Sequence, residues 1–155
     1  SLAWDERYGA AHGLFGEAPN DYLRAQSWRF PAAGKALALG DGEGRNGAFL
    51  AAAGLATLAL DWSHVATARA ARRHPRLRAE VADLTRWPFP EAAFDVVAWI
   101  YVHLPPEDRA IAAAGAVRAL KPGGRLVVEC FSPAQAGRVH FASAGAGSLT
   151  PPAFE

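Results

Sequence analysis

The run FDVVAWI, Phe94 to Ile100, is apolar at every position except Asp95. A strand with one wet face alternates polar and apolar residues, whereas a run like this needs cover on both faces. KALALG, Ala56–Leu60 and Arg125–Phe131 read the same way, with Leu77–Val81 as a shorter, weaker strand. Helical segments separate them. Asn46–Ala53 ends at Gly54, Ser63–Arg73 opens on a capping serine, and Pro105–Leu120 carries Glu107 and Asp108 near its positive end. LKPGG reads as a helix stop and a turn before the fifth strand. Strand and helix alternate throughout, which predicts a three-layer α/β sandwich around a mostly parallel sheet. The first 30 residues are aromatic-rich and read as irregular, apart from a short helix from Asn20 or Asp21 toward Trp28.

The chain has 155 residues, the length of one domain, and 51% of them are hydrophobic. A net charge of +1 gives no support for a nucleic-acid or membrane-surface partner. The one cysteine, Cys130, excludes an internal disulfide and reads as a small core residue in a cytoplasmic protein. No 18-residue apolar run and no signal-peptide pattern occur, and the lack of any methionine reads as a processed or trimmed N-terminus.

LALGDGEGRNG joins the first strand to the helix after it, and Gly42, Gly44 and Gly47 satisfy G-x-G-x-x-G. Alone, such a turn signifies either close backbone approach by a phosphate or nucleoside or merely tight packing. Asp61 lies 21 positions after Gly40 (61 − 40), just past the second strand. A carboxylate there can accept hydrogen bonds from both ribose hydroxyls, or can cap a helix, a role that Ser63 fills better. A nicotinamide dinucleotide and S-adenosylmethionine both fit this far. Asp83, after the third strand, can take an adenine amine or simply initiate a turn. The five histidines never pair at helical spacing, so no zinc site is encoded locally. There is no G-x-S-x-G elbow, and no lysine follows the glycine loop.

In order and spacing, LALGDGEGRNG, LDWSHVATARA, ADLTRWPFPEAAFDVV and RALKPGGRLVVE resemble the class I S-adenosylmethionine-dependent methyltransferases. WDERY and FGEAPNDYL resemble the subgroup of tellurite-resistance and thiopurine methyltransferases. The resemblance implies a Rossmann-like fold in a single domain over 1–155. Residues 1–31 would be an aromatic lid, 35–131 the cofactor core and 132–155 a tail. It implies that Gly40, Gly42 and Gly44 admit the methionine part of S-adenosylmethionine. Asp61 would hold the ribose and Trp62 lie beside the adenine, with Asp83 and the Leu84 backbone reading its edge; Trp99 joins this set. Asp41 stands where relatives carry a small residue or cysteine, and either favours the sulfonium cation or faces solvent. Arg45 either pairs with the cofactor carboxylate or is solvated.

Methyl transfer to a thiolate or to a selenium or tellurium oxyanion needs mainly alignment, whereas a neutral hydroxyl or amine wants a base. The candidates at the fourth strand's end are Tyr101 and His103, the latter also readable as a loop histidine bonded to backbone. Trp4, Tyr8, Phe15 and Tyr22 would form the lid or pack on the core. The expected partner is a small molecule, not a nucleic acid or membrane. Rival readings are an NAD-dependent oxidoreductase and a non-catalytic nucleoside-binding or assembly subunit. The resemblance also implies further strands beyond the fifth, so the fold is expected to be truncated there. Its open edge would be covered by the tail or by a second copy, and residues 134–148 would be the least ordered.

Overall fold

The computed structural model describes residues 2–11 and 13–132. Five strands form one sheet in the order β3-β2-β1-β4-β5, every neighbouring pair parallel. They are β1 (Gly34–Leu39), β2 (Leu55–Asp61), β3 (Arg78–Val81), β4 (Phe94–Ile100) and β5 (Leu120–Glu129). The helices are α1 (Leu2–Ala10), α2 (Asp21–Gln26), α3 (Arg45–Ala52), α4 (His64–Arg73) and α5 (Pro106–Ala119), with a 3₁₀ turn at Ser27–Arg29. The strand order reverses at β1, and in such sheets a crevice opens there beyond the carboxyl ends of the strands.

Period-two alternation sorts the strands into two apolar layers. Leu37, Leu39, Val97 and Trp99 pack with Phe89, Ala112, Ala116 and Ala119 on the α5 side. Ala36, Ala38, Ala59 and Ala98 turn to the other side, against Leu23 of α2 and Leu50 of α3. β1 and β4 are therefore buried from both faces, as their sequences require. Asn20 caps α2 by accepting from Leu23 N at 3.0 Å, and Ser63 caps α4 by accepting from Ala66 N at 3.1 Å.

Four expectations are corrected. The N-terminus begins with a helix, α1, held to α4 by tertiary contacts; its weak amphipathic pattern hides it in the sequence. LKPGG is not a separate turn, because α5 runs directly into β5. Phe94 pairs with Leu120 and Val96 with Arg125, so Lys121–Gly124 bulge out opposite Asp95 alone. Asp95 holds this bulge by accepting from Lys35 N at 2.9 Å and from Lys121 Nζ at 3.2 Å. Among the described residues β5 is an edge strand bordering only β4, and in it Val127 is buried while Leu126 and Val128 stay exposed. Cys130 follows the last residue of β5 and is exposed, not a core residue. The expectations for residues 133–155, including the covered edge and the order of 134–148, lie outside the described residues. Among the described residues no helix is long and apolar enough to cross a membrane.

Candidate functional site

The glycine loop leaves β1 through three residues in the left-handed region, Gly40 at φ 58°, Gly42 at 57° and Gly44 at 92°. At two of them crowding adds a second reason for glycine. A Cβ on Gly40 would lie 2.8 Å from Val102 Cγ2, and one on Gly42 would strike the Tyr8 hydroxyl.

Asp61 ties the loop to the end of β2. Its Oδ2 accepts from Gly42 N at 2.9 Å and its Oδ1 from Ser63 N at 2.8 Å. Burial raises its pKa, against the lowering by those two bonds. One carboxylate thus braces both turns, while the cap of α4 is Ser63. Each oxygen keeps a second lone pair.

Asp41 does not face solvent: only 8% of the residue is exposed. Its Oδ2 accepts from Gly47 N at 2.9 Å, at the start of α3, while Oδ1 is buried without a hydrogen-bond partner among the described residues. Burial first, and then the nearby Asp61 charge, push its carboxyl up to about 7, against the bonds from Gly47 and Asn46 and the Arg45 cation. Arg45 leaves the loop as the first residue of α3. Its guanidinium donates to the Ala18 carbonyl at 3.1 Å and fixes the segment before α2.

A cavity of about 340 Å³ lies beside the loop, lined by Leu2, Asp5, Trp62, His64, Val81, Ala82 and Asp83. Trp62 is 51% exposed at its edge. Asp83 lines the cavity and initiates a turn, its Oδ1 accepting from Thr85 N at 2.9 Å and Thr85 Oγ1 at 2.7 Å. Those bonds hold its pKa below the usual value. Leu84 buries its side chain in the α5-side core. Trp99 is placed in that same core, its indole N–H donating to the Val102 carbonyl at 3.0 Å. The structure brings Gly40, Asp41, Gly42, Gly44 and Asp61 together, with Trp62 and Asp83 lining the cavity; Trp99 packs in the α5-side core, which also holds Ala82 of the cavity wall.

Tyr101 and His103 sit beyond β4, as the sequence predicts. Tyr101 has φ 51°, donates its hydroxyl to Glu129 Oε1 at 2.7 Å, and has its pKa pushed up to about 12 by burial and by Glu129. Burial lowers the His103 pKa, which favours neutral imidazole. Among the described residues no three His, Cys, Asp or Glu side chains converge as a metal site.

Two contributors, Asp5 and Glu43, escape a reading of the sequence, and a third, Tyr8, is read there only as a lid or core aromatic. Asp5 of α1 accepts from Ser63 Oγ at 2.6 Å and from Val65 N at 3.2 Å, so it caps α4 from another element. Glu43 accepts from Leu14 N at 3.1 Å and pairs with Arg69 at 3.3 Å, fastening the glycine loop to the chain after α1. Tyr8, only 4% exposed, lies against Gly42. Asp5 and Tyr8 are three residues apart, one helical face, and that spacing within WDERY was the available signal. Of the four lid aromatics only Tyr8 is buried; Trp4, Phe15 and Tyr22 are exposed.

The arrangement fits S-adenosylmethionine. Asp61 has lone pairs for a ribose, the loop admits close approach, and the cavity at Trp62 and Asp83 suits a planar heterocycle. Comparison with known proteins agrees. Residues 36–124 match the model of the "Methyltransferase domain" family. A demethylmenaquinone methyltransferase of Beutenbergia cavernae is 37% identical over 99 residues, covering 63% of this chain and 41% of its own length. The chain thus spans about two fifths of that relative. An S-adenosylmethionine-dependent methyltransferase from Mesorhizobium loti superposes with a TM-score of 0.65 at 29% identity, over 74% of this chain and 53% of its own. A TehB-like methyltransferase from Corynebacterium glutamicum gives 0.61 at 25% identity, over 81% and 69%. With its glycine loop, its Asp61 brace and more than half its length matched, the chain belongs to the methyltransferase-domain family.

Proposed function

We propose that the protein transfers a methyl group from S-adenosylmethionine to a small-molecule acceptor. The carrying observation is the Asp61 carboxylate, fixed between Gly42 N and Ser63 N beside the cavity at Trp62 and Asp83. S-adenosylmethionine supplies a methyl carbon already activated by a sulfonium. The chain's own task is to align acceptor and methyl, worth ~7–11 kcal/mol in well-oriented systems. Asp61 would hold the ribose, the glycine loop would admit the methionine portion, and Trp62 and Asp83 would flank the adenine. Tyr8, packed on Gly42, would close the site against water. For an acceptor that must lose a proton, the neutral imidazole of His103 is the base. A soft sulfur, selenium or tellurium acceptor would need no base, in keeping with the resemblance of WDERY and FGEAPNDYL to the tellurite and thiopurine subgroup.

The test is transfer of radiolabelled methyl from S-adenosylmethionine to small thiols, selenite, tellurite and small amines, alongside calorimetric binding of the cofactor. Binding with transfer to any of these supports the reading. A folded protein that binds neither S-adenosylmethionine nor S-adenosylhomocysteine would overturn it, as would transfer confined to RNA or DNA.

A further inference from the structure

Glu129 ends β5 beside the end of β4, with Ile100 as its strand partner and its carbonyl accepting from Tyr101 N at 2.7 Å. Tyr101 adopts φ 51°, a conformation that an aromatic residue keeps only when its surroundings impose it. The unusual turn lets the phenol donate to Glu129 Oε1 at 2.7 Å. The other oxygen, Oε2, is shut off from solvent and accepts nothing among the described residues. A buried carboxylate oxygen without a donor is costly, so this one awaits a partner. The partner of its Oε1, Tyr101, belongs to a cluster of rings. Tyr101 and Phe131 have centroids 4.7 Å apart, and His103 stacks on Phe131 at 5.2 Å with planes 10° apart. A carboxylate tied to a ring cluster is chemistry that holds a cation, through a charge-assisted hydrogen bond and ring quadrupoles. An anionic acceptor would meet the same carboxylate as repulsion.

We propose that Glu129 Oε2 is the seat for an amine or ammonium group of the methyl acceptor, with Tyr101 as its positioning residue. The acceptor is thereby a small amine rather than an oxyanion. This rests on the methyltransferase reading and narrows it. The sequence signal is Glu129 itself, the one acid in the apolar run RLVVECF.

The test titrates benzylamine and benzoate into the full chain saturated with S-adenosylhomocysteine, followed by NMR of the ligand. Benzylamine should bind at millimolar concentration, at least tenfold more tightly than benzoate, and at least tenfold more weakly to Glu129→Gln. Tyr101→Phe, the second variant should Glu129→Gln fail to fold, should keep the preference for the amine but narrow it several-fold. Equal amine affinity in wild type and Glu129→Gln, a preference for benzoate, or no binding of benzylamine would overturn the assignment. Affinity for S-adenosylhomocysteine is read separately by calorimetry. Its loss in the wild type would sink the methyltransferase reading, whereas its presence with an indifferent Glu129 sinks this assignment alone.

Discussion

Asp41→Asn should change how stability depends on pH more than it changes the fold. The carboxyl is buried, with one oxygen bonded to Gly47 N and the other without a partner among the described residues, and burial pushes its pKa up to about 7 from an ordinary 3.8. A carboxyl whose folded pKa is raised stabilises the fold in its protonated form. That contribution is complete below pH 3.8 and fades as pH rises through the folded value. Between pH 5 and pH 7 the group crosses about two pH units at ~1.36 kcal/mol each, so the wild type should lose roughly 2–3 kcal/mol from this site. Asparagine keeps the shape and the acceptor for Gly47 N but has no charge to bury. Its amide N–H₂ replaces the orphaned oxygen, at a cost of ~1–3 kcal/mol if left without a partner. The variant should therefore lie near or below wild type at pH 5 and gain on it by pH 8. Urea unfolding at pH 5, 6, 7 and 8, with the m-value checked for constancy, measures the difference. Parallel pH profiles for the two proteins would refute the argument, because they would mean that Asp41 does not ionise between those limits.

Asp61→Ala removes the proposed ribose acceptor and should weaken S-adenosylmethionine at least tenfold in calorimetry, since each hydrogen bond to a charged group contributes ~1.5–3 kcal/mol. It also frees Gly42 N and Ser63 N, so a lower melting temperature should accompany the lost affinity. Gly115→Ala should destabilise by ~1–3 kcal/mol in urea unfolding, because its new methyl would enter the Phe89 ring, itself held edge-on by Trp87 at 4.9 Å. Asp5→Ala should loosen α1 from α4 and hasten proteolysis within the first 16 residues, with the remaining core intact on a gel; an unchanged digestion rate would mean that Asp5 does not hold the helix.

What the sequence could and could not disclose follows from the range of the forces involved. β1 and β4 were readable because two-sided burial writes itself into every position of KALAL and FDVVAWI. α4 was readable because its cap, Ser63, is local. The helix at Leu2–Ala10 was not, since its stability comes from Asp5 and Tyr8 meeting residues more than thirty positions away. Asp41 and Arg45 were visible as charges in a glycine loop, but whether a charge is buried depends on packing from α3 and α1, which no local pattern records. The layer that Trp99 faces was not legible for a simpler reason. In a strand buried on both faces, alternation does not reveal which face is which.

The alanines at Ala36, Ala38, Ala59 and Ala98 have a consequence for how such a site can change. Ala36, Ala38 and Ala59 lie on β1 and β2, the strands against which α3 packs, and the first turn of α3 carries the end of the glycine loop. A methyl group is the smallest spacer a side chain offers, so the helix is already seated low on the sheet. Substitution here works in one direction only: valine or leucine in place of Ala36, Ala38 or Ala59 would lift α3 and, with it, the rim of the crevice. Drift in this layer would thus retune the mouth of the crevice from beneath, without touching one residue that lines it.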